Sequence, residues 1–167
     1  FTGDSVITMS DGSMKYMKDL KVGDTVSCTS IKNNPELGKK FDCIDKSKVV
    51  AILRSKCTNN LANIVQLTNK CKVTEWHPIS LNGLIGSCEF PVNINKSNTI
   101  KCDYVYSIIL ESGKHFTIMD DNILGITLGA NLKKEQYKYD KILHHKFWGT
   151  DNVRNCLKKA KDYPYVT

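Results

Sequence analysis

The sequence predicts an all-β fold that ends in a short α-containing appendage. Three observations carry this. Up to about residue 131 the chain is a series of short apolar/polar alternations separated by turn dipeptides. Helical spacing occurs only near the end, where Val153, Leu157 and Ala160 fall at i, i+4 and i+7. At 167 residues with 41% hydrophobic content, the chain has enough apolar surface for one packed domain.

In order, "DSVITMSDGSMKYMKDL" predicts a hairpin turning at Asp11-Gly12, a dipeptide favoured in two-residue β-turns. "KDLKVGDTVSC" places a turn at Val22-Gly23-Asp24 and a strand from Thr25. Asp4 and Asp24 are expected to cap turns by accepting backbone N–H bonds. The polar run "IKNNPELGKKFD" reads as an exposed loop. "KVVAILRS", "NIVQLTN", "VTEWHPISL" and "EFPVNI" read as strands, with Asn82-Gly83 a turn after the third. "DYVYSIILESGKHFTIM" adds two more around Glu111-Ser112-Gly113. Residues 132–167 form the appendage, with one helix in "VRNCLKKAKDY".

Composition narrows the function. The net charge is +7, and 22 of the 24 basic residues are Lys. Nucleic-acid surfaces favour Arg for bidentate contacts and aromatics for stacking, and neither pattern is present, so no nucleic-acid partner is expected. No apolar run reaches the roughly 18 residues that a membrane span needs. The seven cysteines include no C-x-x-C pair, which argues against structural zinc, and no cofactor is expected. Their odd number and wide spacing suit buried free thiols in a reducing intracellular compartment.

The stretch "VTEWHP" places a hydroxyl, Thr74, three residues before an imidazole, His77. Imidazole is the side chain most easily tuned for proton transfer near neutral pH. That pattern also carries a resemblance. "FTGDSVITMSDGSMKYMKDLKVGDTV" resembles the opening of a Hint domain, the module shared by hedgehog autoprocessing domains and inteins. "VTEWHP" is similar to the family's T-x-x-H block, "VYSIILESGKHF" to its later V-Y block, and "TLGAN" sits where its terminal His-Asn falls. "TLG" and "HHKFWGT" further resemble the Vint subgroup.

The resemblance implies a flattened β-disc, residues 1–131, that cleaves the peptide bond upstream of its own first Cys, with 132–167 as a packed extension. In such domains that Cys attacks the preceding carbonyl in an N-to-S acyl shift, giving a thioester. By this likeness His77 donates a proton to the departing amide nitrogen and Thr74 positions the bond. Asn131, Asp103 and His115 are further candidates, and the substrate is the chain's own upstream flank in a single turnover. A planar amide resists attack, so a site of this kind must supply a nucleophile and a proton together.

Three departures accompany the likeness. The nucleophilic Cys would stand immediately before Phe1, so the chain as written is expected not to carry out the acyl shift. Cys71, near Thr74, is the first thiol to test as a surrogate. The terminal pair is Ala130-Asn131 followed by Leu132, which excludes splicing chemistry. Tyr106 is followed by Ser107 where the block commonly has Asp. The alternative reading is a decayed module kept for structure or interaction. His144 and His145 are adjacent and form a poor chelate, while Phe147 and Trp148 are expected to pack the appendage on the core.

Overall fold

The computed structural model describes residues 1–34, 39–81, 88–111, 116–120, 123–129, 146–147, 149–161 and 165–166. Twelve strands and one short helix are present among them: β1 (Val6–Thr8), β2 (Met14–Tyr16), β3 (Thr25–Asn34), β4 (Lys39–Lys56), β5 (Leu61–Thr68), β6 (Cys71–Thr74), β7 (Ile79–Ser80), β8 (Ser97–Lys101), β9 (Tyr104–Leu110), β10 (Phe116–Ile118), β11 (Leu124–Ile126), β12 (Tyr165–Val166) and α1 (Asp151–Leu157). The all-β expectation with a small C-terminal helix holds.

The strands form three sheets. β1 and β2 make a hairpin, β6-β5-β8 make a three-stranded sheet, and the largest sheet runs β12-β4-β3-β10-β11-β7 with β9 also on β4. The 18-residue β4 serves two partners in succession. Its first part pairs with β3 and its second part with β9, and the register shifts between Val49 and Ala51. A bulge of this kind adds twist and lets one strand turn from one half of the fold into the other. Val49, Ala51 and Ile52 are buried at that turning point. Ile7, Met17, Val26, Val65, Val73, Ile79, Leu110 and Met119 complete the core.

Several expectations need correction. The first hairpin does not use a two-residue turn. Met9 N–H donates to Ser13 O and Gly12 N–H to Met9 O, with Gly12 at φ 83°, giving a three-residue loop that ends in a left-handed glycine. The polar run after Lys32 is largely a continuation of the β3–β4 ladder, paired through Asn34 and Lys39. Main-chain pairing there outweighs polar composition, since the ladder is made by backbone groups whatever the side chains.

"VTEWHPISL" is broken rather than continuous. His77 N–H donates to Thr74 O at 3.3 Å, closing a turn before Pro78, which has no N–H to give to a ladder. "EFPVNI" holds only a bridge at Glu89 to Ile79 and then a single 3₁₀ turn, Pro91–Asn93. Asn82 and Gly83 lie outside the described residues, as do Ser112 and Gly113. The Val22-Gly23-Asp24 turn forms as expected, with Asp24 N–H donating to Lys21 O and the Asp24 carboxylate accepting from Lys21 N–H.

The helix starts earlier and stops sooner than its spacing suggested. Thr150 caps its start by accepting from Asn152 N–H, and only Val153 is buried. Phe147 is 37% exposed, and Trp148 lies outside the described residues. Arg154 reaches back to the β-core. Its Nε donates to Gly129 O at 3.1 Å and its Nη2 to Leu110 O at 2.9 Å. Strand β12 joins β4 in parallel at Ile52 and Leu53.

Candidate functional site

The start of the chain threads between two sheets. Thr2 N–H donates to Lys72 O and Val6 N–H to Lys70 O, tying this segment to β6. On its other side, Phe1 and Tyr106 of β9 exchange two backbone bonds: the Phe1 nitrogen donates to Tyr106 O at 2.9 Å, and Tyr106 N–H donates to Phe1 O at 2.7 Å. Thr2 pairs opposite Val105, so the register is antiparallel. Hydroxyls reinforce the bend. Thr2 Oγ1 donates to Asp4 Oδ1 at 2.6 Å, and Ser5 Oγ donates to Lys72 O at 2.8 Å. Asp4 therefore takes a hydroxyl and the Lys72 ammonium, at 2.6 Å, rather than the turn-capping N–H that was expected.

The Phe1 ring is buried against His77, ring centroids 4.7 Å apart and edge to face. Its far edge lies on Gly125. A Cβ there would come within 2.6 Å of Phe1 Cζ, so only glycine lets β11 pass this close. His77 is itself fixed by β11: its Nε2 is 3.0 Å from Ile126 O, and Ile126 N–H donates to Pro78 O. A carbonyl only accepts, so Nε2 carries the hydrogen and Nδ1 keeps its lone pair in the neutral ring. Burial, then the nearby Phe1 ammonium, pushes the His77 pKa down to about 3, against the Ile126 bond that raises it. The ring is enclosed although part of the residue reaches the surface. His77 is neutral at ordinary pH.

The Phe1 amine is pushed down to about 6, mainly by burial. A residue added upstream would turn this ammonium into an uncharged amide, and one of the two causes that depress His77 would vanish. Cys71, fully buried, has its thiol pushed up to about 12 by burial and by Asp120. A thiol held protonated is a poor nucleophile, which counts against Cys71 as a surrogate.

A second segment closes the site. Leu128 N–H donates to Ile108 O at 3.0 Å, so the stretch after β11 binds the same β9 edge as Phe1, two residues along. The beginning of the chain and Leu128 thus approach one another on one strand. Thr74 sits at the end of β6, its carbonyl anchoring His77. The structure therefore brings Thr74, His77, Phe1 and β11 together. Asp103 is exposed on the rim of a cavity of about 360 Å³ that Thr2, Asp4, Lys72 and Tyr106 also line. By register it lies towards Gly3 and Asp4, away from the direction of an upstream residue. Asn131, His115, His144 and His145 lie outside the described residues. Gly125, Tyr106 and Ile126 were missed in the sequence, because their part is played by backbone or by the lack of a side chain.

Comparison with known proteins agrees with this geometry. The Hint-domain family designated Vint matches residues 1–165. No curated protein matches the chain. Among solved structures, a bacterial intein-like domain from Clostridium thermocellum superposes with a TM-score of 0.53 at 14% identity, covering 76% of this chain and 96% of that one. The Ssp DnaB mini-intein variant M86 superposes with a TM-score of 0.50 at 14% identity, covering 76% and 92%. With the family match spanning nearly its full length and intein-type folds as structural neighbours, the chain belongs to the Hint-domain family, Vint type.

Proposed function

We propose that residues 1–131 act as a self-processing unit that cleaves the peptide bond upstream of a Cys placed directly before Phe1, with 132–167 as a packed extension. The single observation that carries this reading is the seating of the Phe1 backbone on Tyr106 with the His77 ring 4.7 Å from the Phe1 ring. Extended one step upstream, the antiparallel register of Thr2 with Val105 would set that Cys opposite Ser107. The scissile carbonyl is one residue further along.

His77 relays a proton. Its bare Nδ1 accepts the hydrogen of the attacking thiol, and the imidazolium so formed donates it to the amide nitrogen as the C–N bond breaks. The sulfur gains the acyl group and the nitrogen leaves as an amine, so the acyl shift balances without a cofactor. Thr74 holds the turn that aims His77. Asn131 follows the segment bonded to Ile108, and Ala130 beside it offers no imidazole, so cleavage stops at the upstream junction. His115 and Asp103 have secondary parts, His115 in the V-Y block and Asp103 at the cavity rim. The substrate is the flanking polypeptide of the same chain.

The test is a chain extended by Cys and, before it, a reporter peptide. Dithiothreitol or hydroxylamine intercepts a thioester far faster than an amide, so either should release the reporter. A folded, extended chain that shows no thiol-dependent release would overturn the proposal and leave a decayed structural module.

A further inference from the structure

Beside the Phe1–Tyr106 pairing, two thiols lie where two chain corners run side by side, both near enough to act electrostatically on the Phe1 amine. Cys57 follows the last residue of β4, and Cys102 follows the last residue of β8. Cys57 N–H donates to Asp103 O at 2.9 Å, and Cys102 N–H donates to Asn60 O at 2.9 Å. These bonds carry the β4–β9 and β5–β8 ladders past Lys56↔Tyr104 and Leu61↔Lys101, so the β4-to-β5 corner rests on the β8-to-β9 corner. Cys102 is the chain neighbour of the residue that Cys57 pairs with. Such a placement suits the Cα spacing of about 4.4–6.8 Å that a disulfide requires. Beyond the effect of burial, the Cys57 thiol is close enough to hold the Cys102 thiol up, and Cys102 Sγ donates to Tyr104 O at 3.3 Å. Both cysteines are half-buried, whereas Cys28 and Cys71 are sealed in the core.

We propose that Cys57 and Cys102 form a reversible disulfide, a redox-set staple across the corner from which β9 starts. β9 is the strand that seats Phe1, so the staple fixes the base of the site without touching its reacting atoms.

The oxidant is a low-molecular-weight disulfide. Burial, and next the neighbouring Cys57 thiol, hold the Cys102 thiol up at about 11, and Tyr104 O engages its S–H, so Cys102 serves as the resolving thiol. The Cys57 thiolate attacks one sulfur of the oxidant, breaks its S–S bond and releases one small thiol, leaving a mixed disulfide. Cys102 then attacks the Cys57 sulfur, its proton departs with the second small thiol, and the Cys57–Cys102 bond closes. Two protein thiols are oxidised and one small disulfide is reduced to two thiols. The bond closes a loop of about 45 residues, which restricts the unfolded chain and should raise the melting temperature by about 5–15 °C.

The experiment uses the full native chain incubated with oxidised glutathione, then alkylated, digested and mapped by mass spectrometry, beside a melting curve. The expected result is a chain lighter by two hydrogens, a cross-linked pair of peptides containing Cys57 and Cys102, and a higher melting temperature that dithiothreitol reverses. Cys57→Ser should abolish the shift and Cys156→Ser should retain it. Should Cys57→Ser fail to fold, the map of the unsubstituted chain decides alone. A different linked pair, a lasting glutathione adduct on Cys57, or linkage without a melting shift would each overturn the staple.

Discussion

Phe1 and Tyr106 hold one another through paired backbone bonds of 2.9 and 2.7 Å, and this exchange sets the direction of everything upstream. Thr2 opposes Val105, so each step back along the chain moves one step forward along β9. In the proposed extended chain, a residue before Phe1 would face Ser107 and the next would face Ile108, whose carbonyl already accepts from Leu128. The upstream flank must turn off the sheet there, beside β11 and His77. Asp103 lies on the other side of the pair.

Gly125 is the seat for the Phe1 ring, and Gly125→Ala is expected to expel it. The added methyl would stand 2.6 Å from Phe1 Cζ. Denaturant unfolding should show a loss of about 1–3 kcal/mol, the usual range for overpacking. Phe1→Ala in the same background should recover part of that loss, since it removes the clashing ring.

The pH dependence of stability follows from two depressed groups. The Phe1 amine falls from its ordinary value of 8.0 to about 6, and His77 falls from 6.5 to about 3. In each case the unfolded chain binds the extra proton, so stability rises with pH across both windows and is lost on acidification. Blocking the amine by acetylation keeps the N–H bond to Tyr106 and removes the charge. Stability between about pH 7 and 8 should then become flat, while the fall below about pH 6.5 persists. Urea melts across pH 4–8 check this, and an unchanged slope between about pH 7 and 8 after acetylation would count against the buried amine.

Arg154 is expected to hold the C-terminal helix by its two bonds to Gly129 O and Leu110 O. Arg154→Ala should cost about 2–3 kcal/mol by equilibrium unfolding, the range for charged hydrogen bonds to buried carbonyls. Arg154→Lys should rescue little, because one ammonium cannot span both carbonyls as the guanidinium fork does.

Much of this was legible beforehand, and the misses share one cause. The Asp24 turn, the strand at Thr25 and the placing of Thr74 with His77 follow from local patterns that tertiary packing leaves intact. The Lys39–Phe41 stretch read as loop because its polar composition hides a backbone ladder to Lys32–Asn34, just before it in the chain. The tie of Arg154 to Gly129 O and Leu110 O was not legible, since backbone acceptors leave no mark in the sequence. At the site, His77 was readable as chemistry. Its neutral state and its tether to Ile126 depend on burial and on a backbone carbonyl, and neither leaves a mark in composition.

The central claim is that His77 moves the proton that frees the upstream flank, and the most direct measurement is the rate of hydroxylamine-dependent reporter release from the Cys-extended chain, with and without His77→Ala. Both chains would first be shown to be folded by circular dichroism. The account predicts that His77→Ala slows release about 10²–10⁴-fold, the range for losing a positioned acid or base. Thr74→Ala should slow it less, because the turn is weakened while the imidazole remains. Equal release rates from the unsubstituted chain and the His77→Ala chain would contradict the claim.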